Sequence, residues 1–247
     1  MKNLSGQVAV ITGASSGIGK AIALSLAGEG LTLCLTGRST TSLETVAALA
    51  RETSPKVLSY PVDLADQAEF DRFIEQLKAD VSHVNLFIHC AGVLTVGRIK
   101  AIDIEELDLQ YRINVRAAYA LTKELLPLIK HGAGQIVMMN SSIWQHARAE
   151  LSQYASMKYA LKAFTDSLRD EVNQDGIRVL SMFLGRTATP MLAGLHQQQG
   201  TRYIPEDLIQ PSDIGEILLP LLMLPSSAEV TDIHIRPMKS PRRKSAK

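Results

Sequence analysis

Short apolar runs recur along this 247-residue chain, separated by longer stretches of mixed polarity. The runs have the length and continuous apolar character of strands that are buried on both faces of a sheet. They cover residues 8–11, 31–35, 57–58, 86–88, 136–139 and 179–184. Between them, apolar residues repeat at helical spacing, as in Phe70, Phe73 and Leu77. The pattern predicts strands that alternate with amphipathic helices.

The alternation favours one α/β domain built on a doubly wound parallel sheet of about seven strands, with helices on both faces. Parallel strands need long crossover connections, and these connections are usually helices. No linker or fixed-period repeat divides residues 1–238, so we expect a single domain there. Residues 239–247, KSPRRKSAK, carry five basic residues and no acidic one. We expect a disordered, solubilising tail; the alternative is a tether for an anionic surface.

Composition and charge favour a small-molecule partner. A formal net charge of +1 gives no broad field for a nucleic acid or an anionic membrane. The first six residues lack the apolar core of a secretory signal, and the apolar runs are too short to span a bilayer, so we expect a cytoplasmic protein. Cys34 and Cys90 lie in apolar runs without paired spacing, which suits free thiols. The histidines show no metal-site spacing, so we expect no metal.

A glycine-rich segment, TGASSGIG, follows the first predicted strand at residues 12–19 and leads into helical periodicity at residues 20–27. Glycines there permit a tight turn and a close approach to a pyrophosphate, and the following helix presents unpaired N–H groups to the anion. The position between a strand and a helix therefore predicts a phosphate cradle. Its members are Gly13, Ser15, Ser16, Gly17, Ile18 and Gly19.

The TGxxxGIG spacing departs from plain GxGxxG and resembles the fingerprint of the classical short-chain dehydrogenase/reductase family. The later residues that match landmarks of that family are Asp63, Cys90, Ala91, Gly92, Asn114, Ser141, Tyr154, Lys158, Gly185 and Thr189. The resemblance runs from residue 8 to residue 191 and, more weakly, to residue 237. It implies a Rossmann-type fold that binds a nicotinamide dinucleotide.

The end of the second predicted strand favours NADP(H) over NAD(H). Gly37 stands where an acidic residue would bond the ribose hydroxyls and repel a 2′-phosphate, and Arg38 can supply a bidentate phosphate contact. The resemblance assigns Asp63 to the adenine, with Leu64 packed beside it. It also implies cofactor contacts after the fourth and sixth strands, at Cys90, Ala91, Gly92, Gly185, Thr187 and Thr189.

Tyr154 and Lys158 are one helical turn apart at the start of a periodic stretch, so one helix face carries both. A tyrosine with a pKa of about 10 is a poor base at neutral pH, but a nearby ammonium favours its phenolate. The resemblance makes Ser141, rather than Ser142, the serine that bonds the substrate oxygen. It further implies that Tyr154 and Lys158 contact the cofactor, that Lys158 holds the nicotinamide ribose, and that Asn114 holds a proton-relay water.

These assignments imply an oxidoreductase that moves a hydride between nicotinamide C4 and a carbonyl or secondary alcohol carbon, with Tyr154 as the general acid or base. Two alternatives stay open: an NAD-dependent alcohol dehydrogenase of the same fold, and a non-catalytic regulator that binds a nucleotide. A homodimer or homotetramer is expected, because the helices that carry Asn114 and Tyr154 pair between subunits in the family.

The chain departs from the family pattern at three places. Cys90 replaces the usual asparagine, Leu184 replaces the usual proline, and residues 232–237 lack the glycine pair that often closes family members. The amide of asparagine bonds on two sides, which a cysteine cannot reproduce.

Three segments are expected to lie around the substrate. Segments 94–96 and 143–146 are expected to border the substrate pocket, and residues 191–203 to form a mobile lid. Trp144 could touch the substrate or pack in its loop. His146 could touch the substrate or lie on the surface.

Overall fold

A central parallel sheet organises the protein. The computed structural model describes residues 3–129 and 134–239. Within them the strands are β1 (Val8–Thr12), β2 (Thr32–Gly37), β3 (Lys56–Pro61), β4 (Leu86–His89), β5 (Gln135–Ser141), β6 (Arg178–Leu184) and β7 (Asp232–Ile235). All neighbouring pairs are parallel, in the order β3-β2-β1-β4-β5-β6-β7.

Helices connect the strands, as parallel pairing requires. They are α1 (Gly17–Ala27), α2 (Thr40–Arg51), α3 (Gln67–Asp80), α4 (Ile104–Tyr111), α5 (Ala117–Leu125), α6 (Ser152–Val172), α7 (Pro190–Gln198) and α8 (Pro211–Leu222). A π-helical turn, Arg112–Arg116, joins α4 to α5 without a break. Such π turns leave backbone groups outside the regular α-helical ladder and often occur at functional sites.

The sheet is covered on both faces. Ile22 of α1, Val46 of α2 and Leu218 of α8 belong to one buried cluster, together with the strand residues that point to that face. Phe73 of α3 and Leu161 of α6 belong to the other cluster, with Leu121 of α5. Strands buried on both faces are apolar at nearly every position, which is why they appear as continuous apolar runs in the sequence.

The fold class predicted from the sequence is confirmed: the sheet is doubly wound, with seven parallel strands in the described residues and helices on both faces. The weakest strand prediction concerned β3, which extends from Lys56 to Pro61 rather than over residues 57–58 alone. Only Val57 and Tyr60 of this edge strand are buried, and the other positions are half-buried or exposed, so its apolar run is short although its backbone pairing is long.

The sequence-based domain boundary stays a prediction. Of the proposed basic tail, Lys239 is described: its ammonium lies 2.6 Å from the Asp207 carboxylate. The remainder, residues 240–247, lies outside the described residues.

The strand order reverses between β1 and β4, and this reversal positions the candidate site. The connections from β1 and β4 lead away on opposite sides of the sheet, so a crevice opens beyond their carboxyl ends. The loops after Thr12 and His89 both emerge there, because these two residues are partners in the β1–β4 register.

Candidate active site

The loop after β1 has the geometry of an anion cradle. Gly13 and Gly17 have φ angles of +64° and +53°, in the left-handed region that favours glycine. A Cβ on Gly13 would lie 2.9 Å from the Ala91 backbone, so this loop touches the loop after β4. Ser16 precedes α1 without a side-chain capping bond, and the first turn of α1 contains no acidic residue. Its amide groups and dipole are therefore available to an anion.

A cleft of about 190 Å³ lies over this loop. The residues predicted as cofactor contacts that line it are Gly13, Ser15, Ser16, Gly17, Ile18, Gly19, Arg38, Leu64, Cys90, Ala91, Gly92 and Thr189. The lining also includes Gly37 and Met191, which sequence reasoning had placed at the end of the second strand and in the lid. The tertiary structure adds lining residues that sequence reasoning did not assign, namely Thr36, Val62, Val93, Ile113 and Pro190. Most of the added residues are apolar, and they immediately flank assigned positions.

Five of the predicted cofactor residues do not line this cleft: Asp63, Tyr154, Lys158, Gly185 and Thr187. The Asp63 carboxylate accepts the Ala65 N–H at 2.9 Å and so shapes the loop after β3. The Thr187 hydroxyl donates to the Gly185 carbonyl at 3.1 Å. Gly185 in turn packs under the segment after β7, where a Cβ would lie 2.9 Å from Pro237. Their cofactor contacts remain predictions.

The far end of the cleft carries a positive charge and no carboxylate. Arg38 is exposed and, within the described residues, makes no hydrogen bond or ion pair. A Cβ on Gly37 would lie 2.9 Å from the Ser15 Cβ, so a larger residue at position 37 would have to displace Ser15. The arrangement leaves a guanidinium free to bind a phosphate at this end.

Ser141, Tyr154 and Lys158 come together as the sequence predicts. Ser141 ends β5, and Tyr154 and Lys158 lie in the first two turns of α6. Burial raises the pKa of the Tyr154 phenol, while the neighbouring Ser141 hydroxyl lowers it. The Lys158 ammonium lies 5.7 Å from the centre of the Tyr154 ring. A phenol between a hydroxyl and an ammonium is suited to proton exchange.

Lys158 is buried, with 5% of its surface exposed. Its ammonium donates to the Met139 carbonyl at 3.0 Å, which fixes the side chain against β5. Burial lowers the pKa of Lys158 to about 8, since the charged form loses solvation. Asn140 secures the same junction: its amide donates to the Lys158 carbonyl at 3.2 Å and accepts the Ser141 N–H at 2.7 Å.

Asn114 lies in the π turn rather than in a regular helix. Its buried side chain donates to the Val93 carbonyl at 2.8 Å and accepts the Val93 N–H at 2.9 Å. The amide therefore clamps the loop after β4 to the helix. A relay role for Asn114 stays a prediction, and the side-chain amide is already committed to the backbone of Val93.

Thr12 and His89 form a polar junction beneath the cleft that sequence reasoning missed. The Thr12 hydroxyl oxygen accepts the N–H groups of Cys90 and Ala91, each at 3.1 Å, and lies 3.1 Å from His89 Nδ1. His89 is 1% exposed. The position of His89 in the sequence could have indicated this junction. His89 ends an apolar run and directly precedes the Cys90–Ala91–Gly92 segment at the carboxyl end of a strand.

The residues expected around the substrate differ in how far they are buried. Trp144 packs in an aromatic cluster, with ring centres 5.1 Å from Phe183 and 6.2 Å from His234. This observation favours the packing role for Trp144. His146 is exposed, and residues 94–96 are half-buried. Met191, at the start of α7, lines the cleft. No residue of α7 is buried, which is typical of a loosely packed cover.

Two kinds of feature are absent from the described residues. In residues 3–129 and 134–239, no three His, Cys, Asp or Glu side chains are grouped as metal ligands would be. Over the same ranges, no helix is both long and apolar enough to cross a membrane.

Known proteins resemble this chain in sequence and in fold. Residues 7–200 match the family model described as short chain dehydrogenase. An uncharacterized oxidoreductase of Staphylococcus haemolyticus is 28% identical over 239 residues, covering 96% of this chain and 100% of that protein. An alcohol dehydrogenase of the archaeon Thermococcus sibiricus, solved with 5-hydroxy-NADP, is 26% identical with a TM-score of 0.84, covering 95% of this chain and 98% of that one.

A second solved structure supports the fold alone. A short chain dehydrogenase from Burkholderia cenocepacia, solved in complex with NADP, is 24% identical with a TM-score of 0.83. The alignment covers 95% of this chain and 98% of that chain.

Substitution of Gly19 tests the packing of the cradle. An alanine Cβ at Gly19 would lie 2.3 Å from the Gly13 carbonyl oxygen, so Gly19→Ala should displace the loop and cost about 1–3 kcal/mol of unfolding free energy. Gly28→Ala is the control: no atom lies within 4 Å of its Cβ position, and its backbone is right-handed helical. It should be neutral or stabilise by about 0.5 kcal/mol.

Urea unfolding and titration with NADPH measure both effects. Gly19→Ala is expected to lose stability and cofactor affinity together, whereas Gly28→Ala keeps its affinity. Equal behaviour of the two variants would contradict the close-packed cradle.

Proposed function

The chain belongs to the short-chain dehydrogenase family of oxidoreductases, and on that premise we propose that it uses NADP(H) to interconvert a carbonyl compound and an alcohol. The observation that carries the proposal is the junction of Ser141, Tyr154 and Lys158 at the carboxyl edge of the sheet. When bound, the nicotinamide would supply or accept a hydride at its C4 atom.

The residues present fit a dinucleotide phosphate. The cradle has glycines where a Cβ would meet backbone, and the start of α1 offers uncapped amide groups to the pyrophosphate. Arg38 is free for a 2′-phosphate, and Gly37 leaves no carboxylate to repel it. The 5-hydroxy-NADP in the Thermococcus sibiricus alcohol dehydrogenase supports the same preference.

The proton chemistry follows from the three side chains. In reduction, the Tyr154 O–H donates its proton to the substrate oxygen, and Ser141 donates a hydrogen bond to the same oxygen. The phenolate left behind is stabilised by the Lys158 ammonium, which is held in place by the Met139 carbonyl. In oxidation, the phenolate accepts the alcohol proton instead.

Two properties complete the proposal. A homodimer or homotetramer is supported by large side chains exposed on the helices beside the site, at Ile104 of α4, Tyr119 of α5 and Tyr159 of α6. Surfaces of this kind are typical of protein interfaces.

A cytoplasmic location is supported by the free thiols of Cys34 and Cys90, which suit a reducing compartment.

Tyr154→Phe tests the catalytic assignment. A panel of aldehydes and ketones is screened by loss of NADPH absorbance, and the variant is assayed on each accepted compound. Removal of the phenolic O–H should lower kcat by about 10²–10⁴-fold while the affinity for NADPH is retained. Tyr159→Phe is the matched control, because it makes the same change on the same helix at a half-exposed position. Full turnover by Tyr154→Phe would refute the assignment, as would a chain that binds NADPH but turns over no carbonyl compound.

Arg38→Asp tests the cofactor preference. Loss of the guanidinium and gain of a carboxylate should weaken NADPH binding by at least about tenfold and leave NADH binding equal or stronger. Arg72→Asp, an exposed change of the same charge on α3, controls for the overall field. Isothermal titration calorimetry measures the affinities of the unaltered protein and of both variants for NADPH and for NADH. Equal affinity for NADH and NADPH in the unaltered protein, unmoved by Arg38→Asp, would favour the NAD-dependent alternative.

Light scattering tests the assembly. One chain has a mass of 26.9 kDa, so a dimer or tetramer should show two or four times that mass. Tyr119→Arg, which places a charge on the exposed helix face, should shift the mass towards one chain. A single-chain mass for the unaltered protein at micromolar concentration would contradict the proposal.

A further inference from the structure

Trp144 is a large side chain beside the candidate active site that the proposed proton chemistry does not use. It ends a 3₁₀ turn, Ser142–Trp144, which directly follows Ser141. The centre of its indole ring lies 5.1 Å from that of Phe183 on β6 and 6.2 Å from that of His234 on β7. Both distances are within the range of favourable aromatic pairs. The turn after the serine is therefore anchored to two strands.

The two partner rings, Phe183 and His234, form an aromatic platform on the sheet. Phe183 is fully buried, and His234 is its partner in the β6–β7 register. The two rings are stacked, with centres 4.7 Å apart and planes 11° apart. Phe183 is also the register partner of Asn140, which precedes Ser141 on β5. The aromatic platform therefore lies beside the end of the strand that carries the serine.

A lysine of α6 also contacts the indole. The Lys162 ammonium lies 5.5 Å from the centre of the Trp144 ring, within the range of a cation–π contact. Two carboxylates hold this ammonium: it donates a hydrogen bond to Asp166 and lies 3.7 Å from Asp232. Lys162 is about one helical turn beyond Lys158 on α6. The indole therefore joins the serine turn to the helix that carries the tyrosine and the lysine of the site.

The same turn sets the direction of the Ser141 hydroxyl. Its oxygen accepts the Ile143 N–H at 3.3 Å. A hydroxyl has one proton to donate, so this bond leaves the Ser141 proton free for the substrate oxygen. Without a partner, a serine side chain can occupy three staggered rotamers. The Ile143 N–H selects among them, and the packing of Trp144, the next residue, holds that N–H in place.

We propose that Trp144 is a positioning residue: its indole, packed on the aromatic platform and contacted by Lys162, holds the turn that aims the Ser141 hydroxyl at the substrate oxygen. Ser141 lies on β5 and Tyr154 on α6, and both must reach one oxygen, so the two elements have to keep their relative position. The bond from Lys158 to β5 fixes them at one point, and the indole fixes them at the turn. The proposal rests on the roles assigned above to Ser141 and Tyr154.

Trp144→Leu removes the ring and keeps an apolar side chain. Since a displacement of about 1 Å can cost about a hundredfold in rate, kcat should fall by about 10–100-fold while the Kd of NADPH is unchanged. Trp144→Phe keeps a ring for the aromatic platform and for Lys162, so it should restore most of kcat. Phe73→Leu is the matched control, because it makes the same kind of change in a remote aromatic pair with Tyr60. It should lower the melting temperature and leave kcat unchanged.

A double-mutant cycle separates positioning from packing. The full-length protein, Trp144→Leu, Ser141→Ala and the double variant are assayed on one carbonyl compound that the unaltered protein reduces. If the indole acts through the serine hydroxyl, Trp144→Leu should lower kcat by less than about twofold in the Ser141→Ala background. An equal fall of kcat in both backgrounds would reduce Trp144 to a packing residue and overturn the proposal. A folded Trp144→Leu variant with unchanged kcat would overturn it as well.

A second measurement does not depend on any variant folding well. Trp144 is the only tryptophan of the chain, so intrinsic tryptophan fluorescence reports this ring alone. In the unaltered protein without cofactor, the fluorescence anisotropy should decay only with the tumbling of the whole molecule. A fast component from independent motion of the ring would overturn the proposal, because a mobile indole cannot hold the turn. Failure of the proposed function is seen separately, since it appears as undiminished turnover in Tyr154→Phe whatever the behaviour of the indole.

Discussion

The Thr12 hydroxyl is the interaction on which the candidate site depends. It lies at the reversal of strand order, where the loops after β1 and β4 must emerge side by side. By accepting the N–H groups of Cys90 and Ala91, it satisfies two partly buried donors and holds the loop after β4 at the floor of the cleft. Gly13 can approach Ala91 closely only because Gly13 has no side chain.

A buried cation is the second constraint. Lys158 loses solvation against β5, and a single carbonyl, that of Met139, accepts a hydrogen bond from its ammonium in the described residues. This cost lowers the lysine's pKa to about 8, within reach of physiological pH. The same low-dielectric surroundings strengthen the influence of the ammonium on the neighbouring Tyr154 phenol. The burial of Lys158 is unfavourable by itself, but it gives the site a strong local electric field, as in many catalytic sites.

Much of the fold could be predicted because its physical cause is local. Residues 8–11 and 86–88 are continuous apolar runs since both faces of their strands are covered, and Phe70, Phe73 and Leu77 repeat at the spacing of one helix face. The edge strand β3 was underestimated, because its partly exposed residues do not show that pattern. Tyr154 and Lys158 were placed together correctly, since four residues in a helix bring side chains onto one face. Asn114 was expected in a regular helix, but lies in a π turn that periodicity does not reveal.

The sequence by itself therefore determined the alternation of elements, the glycine cradle and the tyrosine–lysine face, because each arises from neighbours within a few positions along the chain. Only the tertiary structure decided that Trp144 packs among aromatic rings, that the Asn114 amide is committed to Val93 and that His89 lies beneath the cleft. It also decided that the His89 ring meets the Thr12 hydroxyl, which lies 77 positions away in the sequence. Contacts across such separations depend on the order in which strands assemble, and local spacing carries no record of that order.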